Sequence, residues 1–391
     1  MKTPNKMVRC LTLVLGGAVA LCGASPLAKA KNADPKRAAE LEARGRQSHY
    51  PANKFNLGDL PPYQPGSPVS GPIRMWGANY LSDARVIEYW ESDFLRHHPG
   101  VSFEYHLAST EHAIPSLCFG VSDISPMTRP ILWTERLQFQ RTFNHQPLDV
   151  VVATGSFDVI GWNAAIGIYV HDGNPLARLT MKQVDGIFGA ERTGGWSEFT
   201  WDPGLARGPE SNIRTWGQLG MTGEWADKPI RVYGYSLESY SAREFEKMVF
   251  HGARKWNEHI LEYGAKAVAK GTVSHSPRSI IEDLLQDRFG IGYAQGLRRP
   301  ETPGLKAIDL APTPDGPYYA FAIENVRNRT YPIFSEISML LNRDPARPLE
   351  HRLKEYLRYL LSRDGQVQVM RDGKYLPLTA EVVFEQLRKL E

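Results

Sequence analysis

Cysteine is almost missing from this chain, with three in 391 residues at Cys10, Cys22 and Cys118. The first two fall in a segment read below as removed on export. Cys118 then stands alone, which excludes an internal disulfide. Its setting, Ile114-Pro-Ser-Leu-Cys-Phe119, predicts a buried structural thiol ahead of a nucleophile. Long apolar runs are also lacking. The best candidate, Leu11 to Leu21, is about eleven residues, too short for a stable bilayer span. Charge of one sign is scarce as well: Lys and Arg total 46 and Asp and Glu 43, a formal +3. Residues 1–30 hold four of the positive charges (Lys2, Lys6, Arg9, Lys29) and no acid, so the remainder is close to −1. That balance offers nucleic acid nothing to bind by. There is no internal repeat and no low-complexity tract. Gly-x-x-x-x-Gly-Lys-Ser/Thr, Gly-x-Ser-x-Gly, His-Glu-x-x-His and paired metal cysteines are all absent, so no catalytic, metal or cofactor reading has a motif to start from.

What is present begins with an export signal. Lys2, Lys6 and Arg9 precede the apolar run, and Ala28-Lys-Ala30 completes a cleavage pattern. Cys22 invites a lipid anchor, but Leu21 is large where lipidation sites want a small residue. The reading is a periplasmic protein cleaved near Ala30, with no membrane insertion afterwards. Residues 31–70, charged and Ala-rich and then Pro/Gly-rich, read as a flexible or wrapping extension. About 320 residues follow, enough for two lobes.

From Ile73 onward, short apolar runs alternate with helix-length amphipathic segments, the pattern of an α/β sheet. Ile73 to Trp76 reads as a strand. Ser82 reads as the N-cap of a helix to about His97, with Val86, Ile87, Trp90 and Phe94 on one face. Val101 to Leu107 reads as a strand, 110–119 as a helix and 121–125 as a strand. Further strands are expected at 150–153, 165–170, 230–233, 291–293 and 336–342. Helices are expected over 179–188 with Thr180 as N-cap, from 239 through Phe250, at 279–287 and at 349–362.

The segment Val121-Ser-Asp-Ile-Ser-Pro-Met-Thr-Arg-Pro130 carries hydroxyls, an arginine and backbone N–H groups from a strand end into a loop. Open α/β sheets bind small ligands at such places, and converging donors with nearby positive charge suit an oxyanion. Arg129 reads either as an anion contact or as a structural arginine tied to a carboxylate. Trp196, Trp201 and Trp216 form either a stacking platform or loop packing. His97-His98 ends a helix, where cations are favoured, and suggests no metal. Asn328-Arg-Thr330 is a sequon of a length expected by chance.

Several stretches resemble the substrate-binding proteins of phosphate ABC importers, within the periplasmic-binding-protein superfamily. Ser122 to Pro130 is similar to that family's "ADIALMSRP". Asn174-Pro-Leu-Ala-Arg-Leu-Thr180, Gly186-Ile-Phe-Gly189 and Trp196-Ser-Glu198 resemble "NPV…LT…IFSG…NWSE". Phe289-Gly-Ile-Gly-Tyr293 resembles "GAIGY". Tyr331-Pro-Ile333, Leu361 to Gln366 and Gly373 to Leu378 resemble "YPL…LSxEGQ…GYLPL". The likeness spans roughly residues 73–380. It implies a type II-like fold of two α/β lobes with two hinge crossings and a ligand cleft between them. The expected boundaries are 71–162 with 331–391 for one lobe and 163–330 for the other.

The resemblance places the ligand on three loops, here Ala78 to Ser82, Ser109 to His112 and Ser239-Tyr-Ser241, with Thr128-Arg129 on the near wall. The ligand-binding candidates are Ser82, Thr110, Thr128, Arg129, Ser239 and Ser241; Ser82, Ser109 and Ser239 read equally as plain N-caps. The chain departs from the family pattern in several places. Tyr240 stands where the family has a Gly that lets the backbone approach the anion. Tyr235 and Ser236 replace a common Arg and Asp, and Thr128 replaces a proton-accepting Asp. Glu111 and Glu238 put negative charge into the anion loops, and Arg243 is either a further cation or a solvated helix residue. The implied function is binding phosphate or a related oxyanion for delivery to a membrane ABC permease. Two alternatives stand beside it: a diverged relative with another ligand or a sensing or scaffolding role, and an enzyme on the same fold.

Overall fold

The computed structural model describes residue 43 and residues 46–159, 161–197, 200–264, 266–269, 272–274, 278–296 and 302–391. The expected export signal lies outside them. Among the described residues no helix is long and apolar enough to cross a membrane.

Two separate sheets organise two lobes. The first contains β1 (Ser70–Trp76), β2 (Gly100–His106), β3 (Ser125–Met127) and β4 (Leu148–Thr154). β1 and β2 run parallel, a bridge between Met75 and Ile124 carries β1 to β3, and a late strand enters between β3 and β4. That late strand, β16 (Glu336–Leu341), is antiparallel to both neighbours. The second sheet has the order β10-β9-β13-β5-β14. Its members are β5 (Ile166–His171), β9 (Arg231–Tyr235), β10 (Leu261–Tyr263), β13 (Gly290–Gln295) and β14 (Leu305–Ala307). Short pairs β6 (Arg178–Thr180) with β15 (Asp309–Ala311), β7 (Gly195–Ser197) with β8 (Thr200–Asp202), and β11 (Lys266–Ala269) with β12 (Thr272–Ser274) complete the strands.

The expected helices are present with adjusted ends, beside four that were not expected, at Trp133–Phe143, Ile323–Arg327, Arg363–Asp372 and Ala380–Arg388. The helix expected from Ser82 to His97 is two: α1 (Asn79–Asp83) and α2 (Val86–His97), broken at Ala84, whose backbone is extended. Ser82 is therefore not an N-cap; its hydroxyl donates to Asn79 O at 2.8 Å. Val86, Ile87, Trp90 and Phe94 are buried as predicted. A 3-10 turn at Thr110–His112 precedes α3 (Ala113–Cys118). The strand expected at 121–125 begins only at Ser125, because Ser122 and Asp123 are turned to hold the end of β1. Arg74 N–H donates to Asp123 at 2.9 Å, and Trp76 N–H donates to the Ser122 hydroxyl at 3.2 Å.

α4 (Trp133–Phe143) links β3 to β4. α5 (Met181–Phe188) is closed by Thr180, whose hydroxyl accepts from Gln183 N–H while the Gln183 side chain accepts from Thr180 N–H. α6 (Tyr240–Phe250) follows β9, α7 (Arg278–Leu284) precedes β13, and α8 (Ile323–Arg327) precedes the return to the first sheet. The C-terminal α9 (His351–Leu360), α10 (Arg363–Asp372) and α11 (Ala380–Arg388) pack back on the first lobe. There Trp90 Nε1 donates to Gly365 O at 2.9 Å and Tyr359 donates to Asp93 at 2.8 Å.

The chain crosses between sheets after Thr154 and again before Glu336, and the crossings are tied together. Gly155 N–H donates to Ser335 O at 2.8 Å, leaving no room for a side chain at Gly155 against Asn163 O. Residues 48–69 run along the first lobe. Tyr50 donates to Asp158 at 2.9 Å, Tyr63 N–H donates to Asp364 at 2.7 Å, and Arg363 donates to Leu60 O at 3.1 Å.

Candidate functional site

The ends of β1, β2 and β3 bring three loops together at one edge of the first sheet. Gly77 makes this approach possible: a Cβ there would collide with Pro126 O, and Ala78 N–H donates to that same carbonyl at 3.0 Å. In the loop after β2, Ser109 caps the 3-10 turn by accepting from Glu111 N–H at 3.3 Å. The next residue, Thr110, is buried with its hydroxyl 3.2 Å from that of Thr128. One such contact uses a single O–H, so the second hydroxyl proton of the pair is left for another acceptor. Thr128 O receives the side-chain amide of Asn163, from the first crossing between lobes.

Arg129 lies beneath this wall, with a side chain only 2% exposed. It donates from Nη2 to Glu135 Oε1 at 2.6 Å, from Nη1 to Glu135 Oε2 at 2.8 Å and from Nη1 to Pro130 O at 3.0 Å. Burial opposes its charge, but the hydrogen bonds and charge of Glu135, aided by Glu111, hold its pKa above the ordinary value. The structural reading of Arg129 is thus realised, through a carboxylate the sequence argument did not name. Its Nε remains a buried donor without a partner.

The far wall comes from the second lobe. Ser239 is the N-cap of α6 and accepts from Ala242 N–H at 3.2 Å. Ser241 donates to Gln295 Oε1 at 2.9 Å. Tyr235 is no obstacle to the cleft: it is buried in the second lobe's core against Tyr293, and its hydroxyl accepts from Gln295 N–H at 3.1 Å. Tyr240 is exposed and reaches across to the first lobe, donating to Glu111 Oε1 at 2.8 Å. Burial and the bond to Glu111 push its pKa up to about 12, so it stays a donor.

The acidic residues of the loops behave differently from each other. Glu238 is turned away onto Arg243 and Arg254, each at 3.0 Å, which also accounts for Arg243. Glu111 faces inward. Its carboxylate accepts from Ser109 and Tyr240 and lies 3.7 Å from Arg129 Nη2. Burial raises its pKa, but those hydrogen bonds and Arg129 outweigh this and hold it below the usual carboxylate value.

Of the six sequence candidates, Thr110, Thr128 and Arg129 share the near wall, Ser239 and Ser241 stand on α6, and Ser82 is engaged with its own helix. The tryptophans divide. Trp216 is core, donating to Phe289 O at 3.1 Å. Trp196 stacks on Trp133 at 6.0 Å and meets Trp201 edge-on at 5.3 Å, so one pair bridges the lobes. Trp133 was passed over in the sequence, where nothing in the Ile131-Leu-Trp-Thr134 stretch marks it as a cleft residue. His98 belongs to the core under the N-terminal wrap, and Cys118 is a half-buried free thiol whose pKa burial raises. Among the described residues no cluster of His, Cys, Asp and Glu is suited to a metal ion.

This architecture is that of a two-lobed binding protein. The family model described as a PBP superfamily domain matches residues 64–364. The chain belongs to that superfamily, and its motif resemblance to phosphate-importer binding proteins is borne out. It is 29% identical over 333 residues to the phosphate-binding protein PstS of Pseudomonas aeruginosa, covering 85% of this chain and 90% of the relative. PstS from Borrelia burgdorferi has a solved structure with TM-score 0.50 at 13% identity, covering 79% of this chain and all (100%) of the other. An ABC-type phosphate transport receptor from Vibrio cholerae gives TM-score 0.47 at 17% identity, covering 78% and 99%. At 13% identity the likeness to the Borrelia burgdorferi structure speaks for the fold alone.

Proposed function

We propose that this chain is an exported, periplasmic solute-binding protein that holds phosphate or a related small oxyanion between its lobes for an ABC permease. The observation that carries the reading is the near wall. Thr110 and Thr128 have one hydroxyl proton to offer, and the buried Arg129 lies behind them with Nε unpartnered. Donors of this kind suit an oxyanion, each charge-assisted bond contributing about 1.5–3 kcal/mol. The names of the PstS relatives support the same ligand class. We assign Thr110, Thr128 and Arg129 to the near wall, Ser239 and Ser241 to the far wall, and Ser82 to α1 beside the near wall. The working lobes are 71–162 with 331–391, and 163–330, closing on the ligand as a population shift.

One observation favours a second reading, a diverged relative with another ligand or a sensing role: Glu111 and Tyr240 occupy the space between the walls. Calorimetry of the mature protein with phosphate, sulfate, molybdate and phosphonates separates the two. Saturable heat with at least one of these anions is expected, and none with any of them overturns the oxyanion reading.

A further inference from the structure

Glu111 puts a carboxylate against Arg129, one of the residues the oxyanion reading assigns to a ligand. Its carboxylate takes a hydrogen bond from Ser109 on its own loop and one from Tyr240 on the opposite lobe, and it faces the guanidinium of Arg129. A carboxylate and the ionised oxygens of a phosphate both accept hydrogen bonds from such donors, and a hydrogen phosphate differs in also carrying a hydrogen that it can donate. Glu111 is also free to leave. Its side chain is 55% exposed, whereas that of Arg129 is 2% exposed. The residue it meets is specific to this arrangement, since Tyr240 stands at the tip of α6 where its hydroxyl spans the cleft.

We propose that Glu111 is a tethered occupant of the anion site, closing the two lobes through Tyr240 when no anion is bound and competing with any oxyanion that enters. The inference rests on the oxyanion reading for the competition, but not for the closure. Closure has a second contact to support it: Trp133 on α4 of the first lobe lies parallel to Trp196 on β7 of the second, 6.0 Å apart and 6° between planes. An internal carboxylate gives the cleft a threshold. An anion has to displace Glu111 toward solvent, or bring a hydrogen that Glu111 can accept, before it meets Arg129. Weakly accepting or fully ionised ligands are turned away by a charge already in place.

The test uses the full mature chain, freed of anions by dialysis, with one spin label on each lobe to read their separation and calorimetry with inorganic phosphate. Wild type is compared with Glu111→Ala, which removes the carboxylate, and Tyr240→Phe, which removes one hydroxyl and leaves the ring to pack. In the anion-free state wild type is expected to show one short interlobe distance, and both variants a second, longer one. Glu111→Ala is expected to bind phosphate about tenfold more tightly or better, the scale of one lost charge-assisted competitor. Unchanged distances in both variants overturn the inference, whatever the phosphate data show. Opening with no heat from phosphate in any of the three proteins upholds the closure and overturns the competition with phosphate. Opening with wild-type phosphate affinity in Glu111→Ala overturns the competition.

Discussion

Arg129 and Glu135 meet side to side, two parallel N–H donors on two carboxylate oxygens at 2.6 and 2.8 Å, with side chains 2% and 13% exposed. Glu135 also accepts from Leu132 N–H at 2.9 Å, so one carboxylate fixes both the arginine and the start of α4. Removing one partner of such a pair leaves a buried charge uncompensated, a loss of about 3–5 kcal/mol. Glu135→Ala is therefore expected to lower stability by that order in denaturant titration. Arg129→Ala, on the oxyanion reading, is expected to weaken anion binding at least tenfold by calorimetry.

Acid should loosen the N-terminal wrap. His98 is buried, accepts from Val69 N–H at Nδ1 (3.3 Å) and has Nε2 2.8 Å from the Tyr63 hydroxyl, which donates to Glu355 at 3.1 Å. Burial lowers its pKa, ahead of the opposing pull of Glu355. The folded state thus binds this proton less readily than the unfolded chain, so stability falls as pH drops through the unfolded value of about 6.5. Melting temperature measured between pH 7.5 and 5 should decline less steeply in His98→Gln than in wild type.

Glu244 predicts the opposite pH trend. It is buried on α6 against the second crossing, facing Lys247 of its own helix and Ser335 and Glu336 of the other lobe, with Arg329 held to Glu336 at 2.8 Å. Burial raises its pKa to about 8, Glu336 adds to this, and Lys247 and Ser335 oppose it. The folded state therefore holds a proton that the unfolded chain has released. Stability from this group is lost as pH climbs from about 4.5 to about 8, a penalty on the order of a few kcal/mol. Glu244→Gln is expected to stabilise the protein at pH 8.5 and to change little at pH 5, as read by thermal unfolding.

The fold was largely legible because apolar periodicity and turn residues are local. Val86, Ile87, Trp90 and Phe94 point one way from any helix that contains them, and the Thr180–Gln183 reciprocal cap needs only four residues to form. The misplaced features depended on partners far along the chain. Ser82 reads as a cap until Ala84 breaks the helix, and Ser122-Asp123 reads as strand until Arg74 and Trp76 draw both side chains into the end of β1. Tyr235 and Tyr240 look alike in sequence, five residues apart. One faces the core of its sheet and the other sits at a helix tip, and only the direction of β9 and α6 separates them.

The residues alone determined the class of this protein: two α/β lobes, a superfamily, and a hydroxyl- and arginine-bearing loop at 121–130 suited to an anion. The α/β pattern and the loop follow from residue types at short spacing, whereas the superfamily and its two-lobed fold came from the resemblance of the motifs. What surrounds Arg129 and Glu111 was decided only by tertiary structure. Arg129 is matched to Glu135 in the first turn of α4, while Glu111 meets Tyr240, 129 residues away, across a cleft that exists only once both lobes are built. The Glu111 carboxylate reads as repulsion in the sequence until the fold supplies the hydroxyls that donate to it and the guanidinium that faces it.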